Sequence, residues 1–216
     1  MPTLLRLDSS LYSSHGTSSQ LTALFTKQWV QARPDTNVIH RDLSLSPPPH
    51  LDAEHMEALA TEASRRTLRQ QELVAAADIL IREVRQADTL VIGLPLYNFG
   101  IPSTLKAWFD HICRAGDTFS YAESGPVGTL GGRRVFALST RGDRVSKSGK
   151  DPQTDHVRAM LNFLGMNDVS FIYADGLTID EECRAAGMAA AENRIAQHTV
   201  PNPSRTQENK LRGYKI

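Results

Sequence analysis

The sequence has few cysteines and no long apolar run. Its 216 residues include two cysteines, Cys113 and Cys183, so neither a disulfide framework nor a cysteine-ligated zinc site is expected. No stretch approaches the roughly 18 consecutive apolar residues that a membrane-spanning helix needs. The first residues also lack the basic and apolar segments of a signal peptide. We therefore expect a cytoplasmic protein without a membrane span, whose cysteines are reduced thiols.

An excess of charge and the common catalytic motifs are also missing. Lys+Arg and Asp+Glu are both 24, and this zero net charge argues against a nucleic-acid partner. No G-x-G-x-x-G, P-loop or G-x-S-x-G motif occurs, which disfavours a dinucleotide-fold dehydrogenase, a P-loop NTPase and an α/β-hydrolase. The seven histidines are scattered without H-E-x-x-H. They predict surface or capping roles and no metal site.

Short apolar segments alternate with amphipathic ones along the chain. The predicted strands are residues 3–7, 37–43, 89–94, 134–138 and 169–173. The predicted helices are one that includes residues 21–29, then 52–62, 67–86, 102–115, one around 157–164, and 180–198. This alternation is typical of parallel strands with right-handed crossovers. It predicts an α/β, flavodoxin-like doubly wound sheet of five parallel strands with helices on both faces. Residues 1–200 would form one domain, and residues 201–216 an extended or disordered tail.

A hydroxyl-rich segment follows the first strand. Residues 9–19, SSLYSSHGTSS, contain seven serine and threonine hydroxyls and no Lys or Arg. Ligands of open α/β sheets bind beyond the carboxyl ends of the strands, and a helix N-terminus there favours a phosphate. The segment therefore indicates one phosphate monoester held by neutral donors. A polar loop with a Ser or Thr helix cap is the alternative.

Two further loops at strand ends carry unusual residues. Residues 95–100, PLYNFG, place Tyr97, Asn98 and Phe99 where a flat heteroaromatic ring could stack and hydrogen-bond; ordinary core capping is the alternative. The stretch from Thr140 to Asp143 offers a glycine and an arginine near the edge of such a ring. A glycine turn with a surface arginine is the alternative for that loop. Together the three loops indicate a mononucleotide site at one edge of the sheet.

These residues also carry a family resemblance. PLYNFGIPSTLKAWFDHICRAGDTFSY, then GPVG and STRGD, closely resembles the FMN-dependent NADH azoreductases, bacterial flavodoxin-like enzymes that also reduce quinones. The likeness extends from LDSS near the start to FLGM at residues 163–166. It implies a homodimer with one FMN per subunit and an active site at the dimer interface. It also implies ping-pong electron transfer from NADH or NADPH to quinones and aromatic azo compounds.

The resemblance assigns residues by position. It implies that the FMN phosphate meets Ser10, Gly16, Thr17 and Ser18, and that the isoalloxazine ring meets Leu96, Tyr97, Asn98 and Phe99 on one side and Thr140, Arg141, Gly142 and Asp143 on the other. The substrate pocket would include Phe119, Tyr121 and Phe163. No catalytic residue is assigned, because the cofactor carries the chemistry.

Three positions depart from the family pattern. Gly16-Thr17-Ser18 stands where the family usually has Ser-x-Ser, so one side-chain donor is lost. Leu96 replaces a usual Met, and Asp143 replaces a usual Gly and would oppose negative charge on a reduced flavin. Two alternative functions stay open, namely a quinone or nitro reductase with little azo activity and a non-catalytic FMN-binding or redox-signalling module.

Overall fold

The computed structural model describes residues 1–144 and 151–200, so the predicted tail 201–216 lies outside the described residues. The strands are β1 (Thr3–Asp8), β2 (Asn37–Asp42), β3 (Thr89–Pro95), β4 (Phe119–Ala122), β5 (Gly125–Gly128), β6 (Arg134–Thr140) and β7 (Asp168–Ala174). The α-helices are α1 (Thr17–Ala32), α2 (Ala53–Ala60), α3 (Leu68–Gln86), α4 (Ser103–Ile112), α5 (Pro152–Phe163) and α6 (Glu181–Thr199). No α-helix in these ranges is long and apolar enough to cross a bilayer.

Five of the strands form one parallel sheet in the order β2-β1-β3-β6-β7. The chain moves outward from β1 to β2 and then returns past β1 to β3. This reversal creates a topological switch point between β1 and β3, where doubly wound folds bind their ligands. The predicted flavodoxin-like sheet of five parallel strands is confirmed.

The core lies on both faces of this sheet because successive strand side chains point in opposite directions. Every residue of the central strand β3 is buried. Leu90 and Ile92 pack with Trp108 of α4 on one face. Val91 packs with Phe25 of α1 on the other. The predicted helices on both faces are therefore confirmed, and the near-continuous apolar sequence of β3 follows from its double coverage.

Several element boundaries differ from the predictions. α1 begins at Thr17, inside the segment predicted as a loop, so Ser18 and Ser19 belong to its first turn. β6 continues to Thr140, where hydrogen bonding to β3 and β7 on both sides outweighs the polarity of its last residues. The hairpin of β4 and β5 was not predicted, because strands of four residues give too short an alternation to recognise.

Two histidines contradict the predicted surface or capping role. His55 and His111 are both buried, with ring centroids 5.2 Å apart. His111 Nε2 lies 2.8 Å from the carbonyl oxygen of Pro49, and burial lowers the pKa of His111. The apolar faces of α2, α3 and α4 meet around this pair. The sequence could not predict this burial, because the hydrophobic pattern of one helix does not show which polar residues a neighbouring helix covers.

Both cysteines are free and partly buried, in agreement with the predicted reduced thiols. Cys113 follows the last residue of α4. Burial raises the pKa of its thiol to about 11. Cys183 lies in the first turn of α6.

Candidate functional site

The three loops singled out in the sequence meet at one edge of the sheet. They follow β1, β3 and β6, which are neighbours in the sheet, so their carboxyl ends lie side by side. The amide of Leu96 donates to the carbonyl of Thr140 at 3.0 Å, which joins the second loop to the third. The hydroxyl of Tyr97 accepts from the amide of Leu11 at 3.3 Å and lies 3.4 Å from Ser10 Oγ. Tyr97 thus joins the second loop to the first.

The first loop is fixed by its own serines. Ser9 Oγ donates to the carbonyl of Gly93 at 2.7 Å. Ser13, in the left-handed region at φ 48°, opens a short 3-10 turn and donates to Asp42 at 2.5 Å. Burial alone would raise the pKa of Asp42, but hydrogen bonds from Ser13 and Ser44 outweigh burial and lower it. Asp42 therefore remains an ionised acceptor that holds this loop in place.

The N-terminus of α1 offers free donors to a ligand. Gly16 precedes its first residue, and no side chain caps the helix. The first amides of a helix have no partner within it. Ser18 Oγ, in this first turn, is buried without a hydrogen-bond partner among the described residues. An unsatisfied buried hydroxyl beside uncapped amides is a cost that a bound phosphate would remove.

Close packing explains the glycine at position 16. A Cβ added to Gly16 would lie 1.9 Å from Ser10 Oγ and 2.5 Å from Ser10 Cβ. The space that a side chain at position 16 would use is therefore filled by Ser10. The structure brings Ser10, Gly16, Thr17 and Ser18 together, and the residues present fit a phosphate held by neutral donors.

The second loop is a tight and strained turn. Tyr97 and Gly100 exchange backbone hydrogen bonds of 3.1 and 3.0 Å. Between them Asn98 and Phe99 have φ of 48° and 65°, in the left-handed region that a bulky residue such as Phe rarely adopts. Phe99 is 82% exposed. A strained backbone that presents an aromatic ring and an amide to solvent is typical of a binding site.

A cleft opens beside this turn, between the N-terminal ends of α4 and α5. Its volume is about 470 Å³, and Phe99, Ile101, Lys106 and His156 are among its lining residues. Small-molecule sites are usually about 300–1,000 Å³. The turn therefore has enough space next to it for an aromatic ligand.

The arginine of the third loop is buried, which contradicts the alternative of a surface arginine. Arg141 is only 6% exposed, and its Nη2 lies 2.5 Å from Asp151 Oδ2. Its Nε donates to Ser139 Oγ at 3.0 Å, and its backbone amide donates to Ala174 at 3.0 Å. The guanidinium and the backbone amide of Arg141 therefore both have partners within the protein. A buried arginine needs such partners. Ser139 is two residues away in the sequence, whereas Asp151 and Ala174 lie in segments that the sequence does not place nearby.

The rest of the third loop remains at the edge of the sheet. A Cβ on Gly142 would lie 2.5 Å from Thr178 Oγ1, so a larger residue here would force the Thr178 side chain to move. Thr140 is buried, and Asp143 is exposed. The carboxylate of Asp143 accepts from the amide of Arg144 at 2.7 Å.

Two supporting residues were missed by the sequence analysis. Asp151 caps α5 and accepts from Thr154 and Arg141. Burial alone would raise the pKa of the Asp151 carboxyl, but these hydrogen bonds outweigh burial and hold its pKa below the usual value. Gln153 is fully buried against the second loop. The Asp-Pro pair at 151–152 is a helix-start signal that could have placed both residues in a first turn.

The three predicted substrate residues come together, but away from the turn. Phe119 contacts Tyr121 and Phe163 with ring centroids 5.6 and 4.6 Å apart. Phe163 ends α5, whereas Gln153, near its start, contacts the second loop. Ten residues of helix span roughly 15 Å. Within this chain the aromatic cluster and the turn of the second loop therefore lie at opposite ends of α5.

The sheet order and the loops at its edge define a flavodoxin-like protein, and a family model described as "Flavodoxin-like fold" matches residues 2–199. The FMN-dependent NADH:quinone oxidoreductase of Cellvibrio japonicus (strain Ueda107) is 46% identical over 197 residues, covering 91% of this chain and 98% of that relative. The chain belongs to the flavodoxin-like family of FMN-dependent NADH:quinone oxidoreductases.

Solved structures show the same fold at lower identity. An azoreductase from Bacillus anthracis str. Sterne has a TM-score of 0.84 and 23% identity, covering 93% of this chain and 99% of that chain. An FMN-dependent NADH-azoreductase from Bacillus anthracis str. Ames Ancestor, in complex with FMN, has a TM-score of 0.81 and 24% identity, covering 92% of this chain and all of that chain. At such identities these structures support the fold.

Proposed function

We propose that this protein binds one FMN per subunit and transfers electrons from NADH or NADPH to quinones and aromatic azo compounds, cleaving the azo bond to amines. The observation that carries the proposal is the uncapped start of α1 beside a strained aromatic turn, with a buried Ser18 Oγ that has no hydrogen-bond partner among residues 1–144 and 151–200. The names of the relatives support the choice of FMN, NADH and a quinone.

The phosphate is assigned to the first loop. Thr17 and Ser18 stand in the first turn of α1, where amides and the positive end of the helix dipole favour an anion. Ser10 lies so close to Gly16 that a side chain at position 16 would collide with it. The bound phosphate would give Ser18 Oγ the partner that it lacks within the described part of the chain.

The ring is assigned to the second and third loops. Leu96, Tyr97, Asn98 and Phe99 would cover and hydrogen-bond one side, with Thr140, Arg141, Gly142 and Asp143 along the other. We assign Arg141 an indirect role, since its guanidinium and amide are engaged within the protein. FMN, when bound, would supply the chemistry by accepting a hydride equivalent and returning two electrons per cycle, so that a quinone takes one cycle and the cleavage of an azo bond to two amines takes two cycles, with protons from water. The chain's residues bind and orient the ring, and we assign none of them as a nucleophile, general acid or metal ligand.

A homodimer would complete the substrate pocket. The cluster of Phe119, Tyr121 and Phe163 lies at the far end of α5 from the second loop, and Tyr121 is 77% exposed. We propose that this cluster in one protomer covers the ring site of the other. A single shared pocket would then bind the nicotinamide and the acceptor in turn, which is a ping-pong reaction. The cytoplasmic location stays a prediction from the sequence.

The first experiment identifies the cofactor and its reduction. The purified protein should be yellow, and mass analysis of the released cofactor should give FMN. Anaerobic stopped-flow mixing with NADH or NADPH should bleach it, and initial velocities with a quinone should give parallel double-reciprocal lines. A colourless protein that refuses micromolar FMN refutes the proposal. A protein that stays yellow with both nucleotides in excess is instead a binding or signalling module.

A second experiment separates the phosphate from the ring. Ser18→Ala should raise the Kd of FMN by roughly 10–100-fold, because a hydrogen bond to a charged group is lost, and should leave the Kd of riboflavin unchanged. Asn98→Ala should weaken the binding of both compounds. Ser14→Ala, at an exposed hydroxyl of the same loop, is the matched control. Equal loss of FMN and riboflavin in Ser18→Ala would contradict the phosphate assignment.

A further inference from the structure

The geometry points to Gln153 as the residue that positions the flavin-contacting turn. This inference rests on the proposed function and adds a residue outside the three loops. Gln153 is the second residue of α5 and is fully buried, at 0% exposure. It is a positioning residue, because it contacts the backbone of the turn from within the protein.

The amide of Gln153 joins two segments that enclose the ring site. Its Nε2 donates to the carbonyl oxygen of Pro95 at 2.8 Å and to that of Gly100 at 3.3 Å. These two carbonyls stand at the two ends of the strained turn. Its Oε1 accepts from Ser139 Oγ at 3.0 Å, in the neighbouring strand β6. One side chain thus fixes where the turn begins and ends relative to β6.

The chemistry of the partners fixes the orientation of this amide. The two carbonyl oxygens can only accept, so they require the NH2 group, and the Ser139 hydroxyl is left to donate to Oε1. Ser139 Oγ in turn accepts from Arg141 Nε at 3.0 Å. Donation therefore runs in one direction, from buried Arg141 through Ser139 and Gln153 to the turn. A glutamate could not replace Gln153, since its carboxylate would face two carbonyl oxygens without a donor.

The turn needs this support because its own backbone is strained. Asn98 and Phe99 stay in the left-handed region only where the surrounding structure holds them there. Burial of the Phe99 side chain does little to stabilise this backbone conformation, because the side chain is mostly exposed. The hydrogen bonds from Gln153 hold the ends of the turn at the spacing that this conformation requires.

The test is Gln153→Met, which keeps the length and bulk of the side chain but removes its donors. We expect the Kd of FMN to rise about tenfold, as for one or two lost hydrogen bonds. The visible circular dichroism of bound flavin should also change, because this signal reports the asymmetric surroundings of the ring. Val157→Ala, at a buried position one turn further along α5, is the control. It should lower the melting temperature without altering the FMN Kd or the flavin spectrum.

Each outcome of the experiment is decisive. Wild-type FMN affinity and flavin dichroism in a folded Gln153→Met variant would overturn this inference while leaving the proposed function intact. A wild-type protein that binds no FMN would overturn both. If Gln153→Met does not fold, Ser139→Ala replaces it, because it keeps the Nε2 donors of Gln153 and removes the hydroxyl that orients them, together with the acceptor of Arg141 Nε. That variant should raise the FMN Kd about two- to threefold with the same spectral change, and wild-type values would refute the inference.

Discussion

Replacing Arg141 with methionine tests whether its guanidinium supports the fold or contacts the cofactor. In the structure Arg141 is buried and pairs with Asp151 at 2.5 Å. Removing one partner of a buried ion pair typically costs about 3–5 kcal/mol. Asp151 keeps its hydrogen bonds from Thr154 and is not fully buried, so the lower end applies, about 3 kcal/mol. For a domain of this size the melting temperature should fall by about 6–12 °C.

The assay is urea and thermal unfolding of the apoprotein, followed by far-ultraviolet circular dichroism. Asp151→Asn and the double variant complete a thermodynamic cycle, with an expected coupling of about 1–3 kcal/mol. The pH dependence gives a second signature. The folded-state pKa of Asp151 is lowered, so its stabilising contribution is present above the unfolded carboxyl pKa near 3.9 and is lost as the pH falls. The difference between wild type and Arg141→Met should therefore shrink below about pH 4.

A guanidinium that contacts the flavin would give a different result. If the guanidinium faces the flavin, Arg141→Met would leave the apoprotein within about 2 °C of wild type, since this is the effect of less than 1 kcal/mol. It would instead lower the reduction potential of the bound flavin, because a positive charge near the ring would be lost. That combination would refute the structural role assigned here to Arg141.

Three further perturbations follow from single positions. Gly16→Ala should weaken FMN binding at least tenfold, measured by flavin fluorescence, because its Cβ collides with Ser10; undiminished affinity would contradict the packing. The pKa of His111 is lowered, so its stabilising contribution is present above about pH 6.5 and lost below it. His111→Gln should then flatten the loss of stability between pH 7.5 and 5.5, whereas His50→Gln at an exposed position should not. A thiol reagent at pH 8 should label Cys183 quickly and native Cys113 slowly, because the Cys113 pKa is about 11; equal rates would disprove that difference.

The sequence was sufficient to predict the sheet and to bring the three loops together at one of its edges. The apolar run of β3 and the helical spacing around it predict parallel strands, and the loops at strand ends then fall at one edge by topology alone. Hydroxyl, aromatic and glycine residues in those loops indicate a ligand without any structure. The sheet and the arrangement of its loops could be predicted because they depend on local composition and on the order of strands and helices.

The role of Arg141 could not be predicted in the same way. Its partners Asp151 and Thr154 are ten and thirteen residues further along the chain. Only the packing of α5 against the sheet brings them together, and no periodicity of the sequence reports that contact. Gln153 was missed for the same reason, since its role depends on two backbone carbonyls of a distant loop.

The helix starts give an independent reason to place the function at this edge. α2, α3, α5 and α6 each begin with a side-chain cap, from Asp52, Thr67, Asp151 and Asp180 respectively. α1 and α4 have no such cap from any residue that the structure describes. α1 follows the hydroxyl-rich loop directly, and α4 follows the strained turn. Natural sequences depart from local rules mainly where function requires it. The two uncapped helix starts and the left-handed Asn98 and Phe99 occur at the same edge of the sheet as Ser18 Oγ, which has no hydrogen-bond partner among the described residues. A ligand bound at this edge would provide partners for Ser18 and for the free amides of the helix starts.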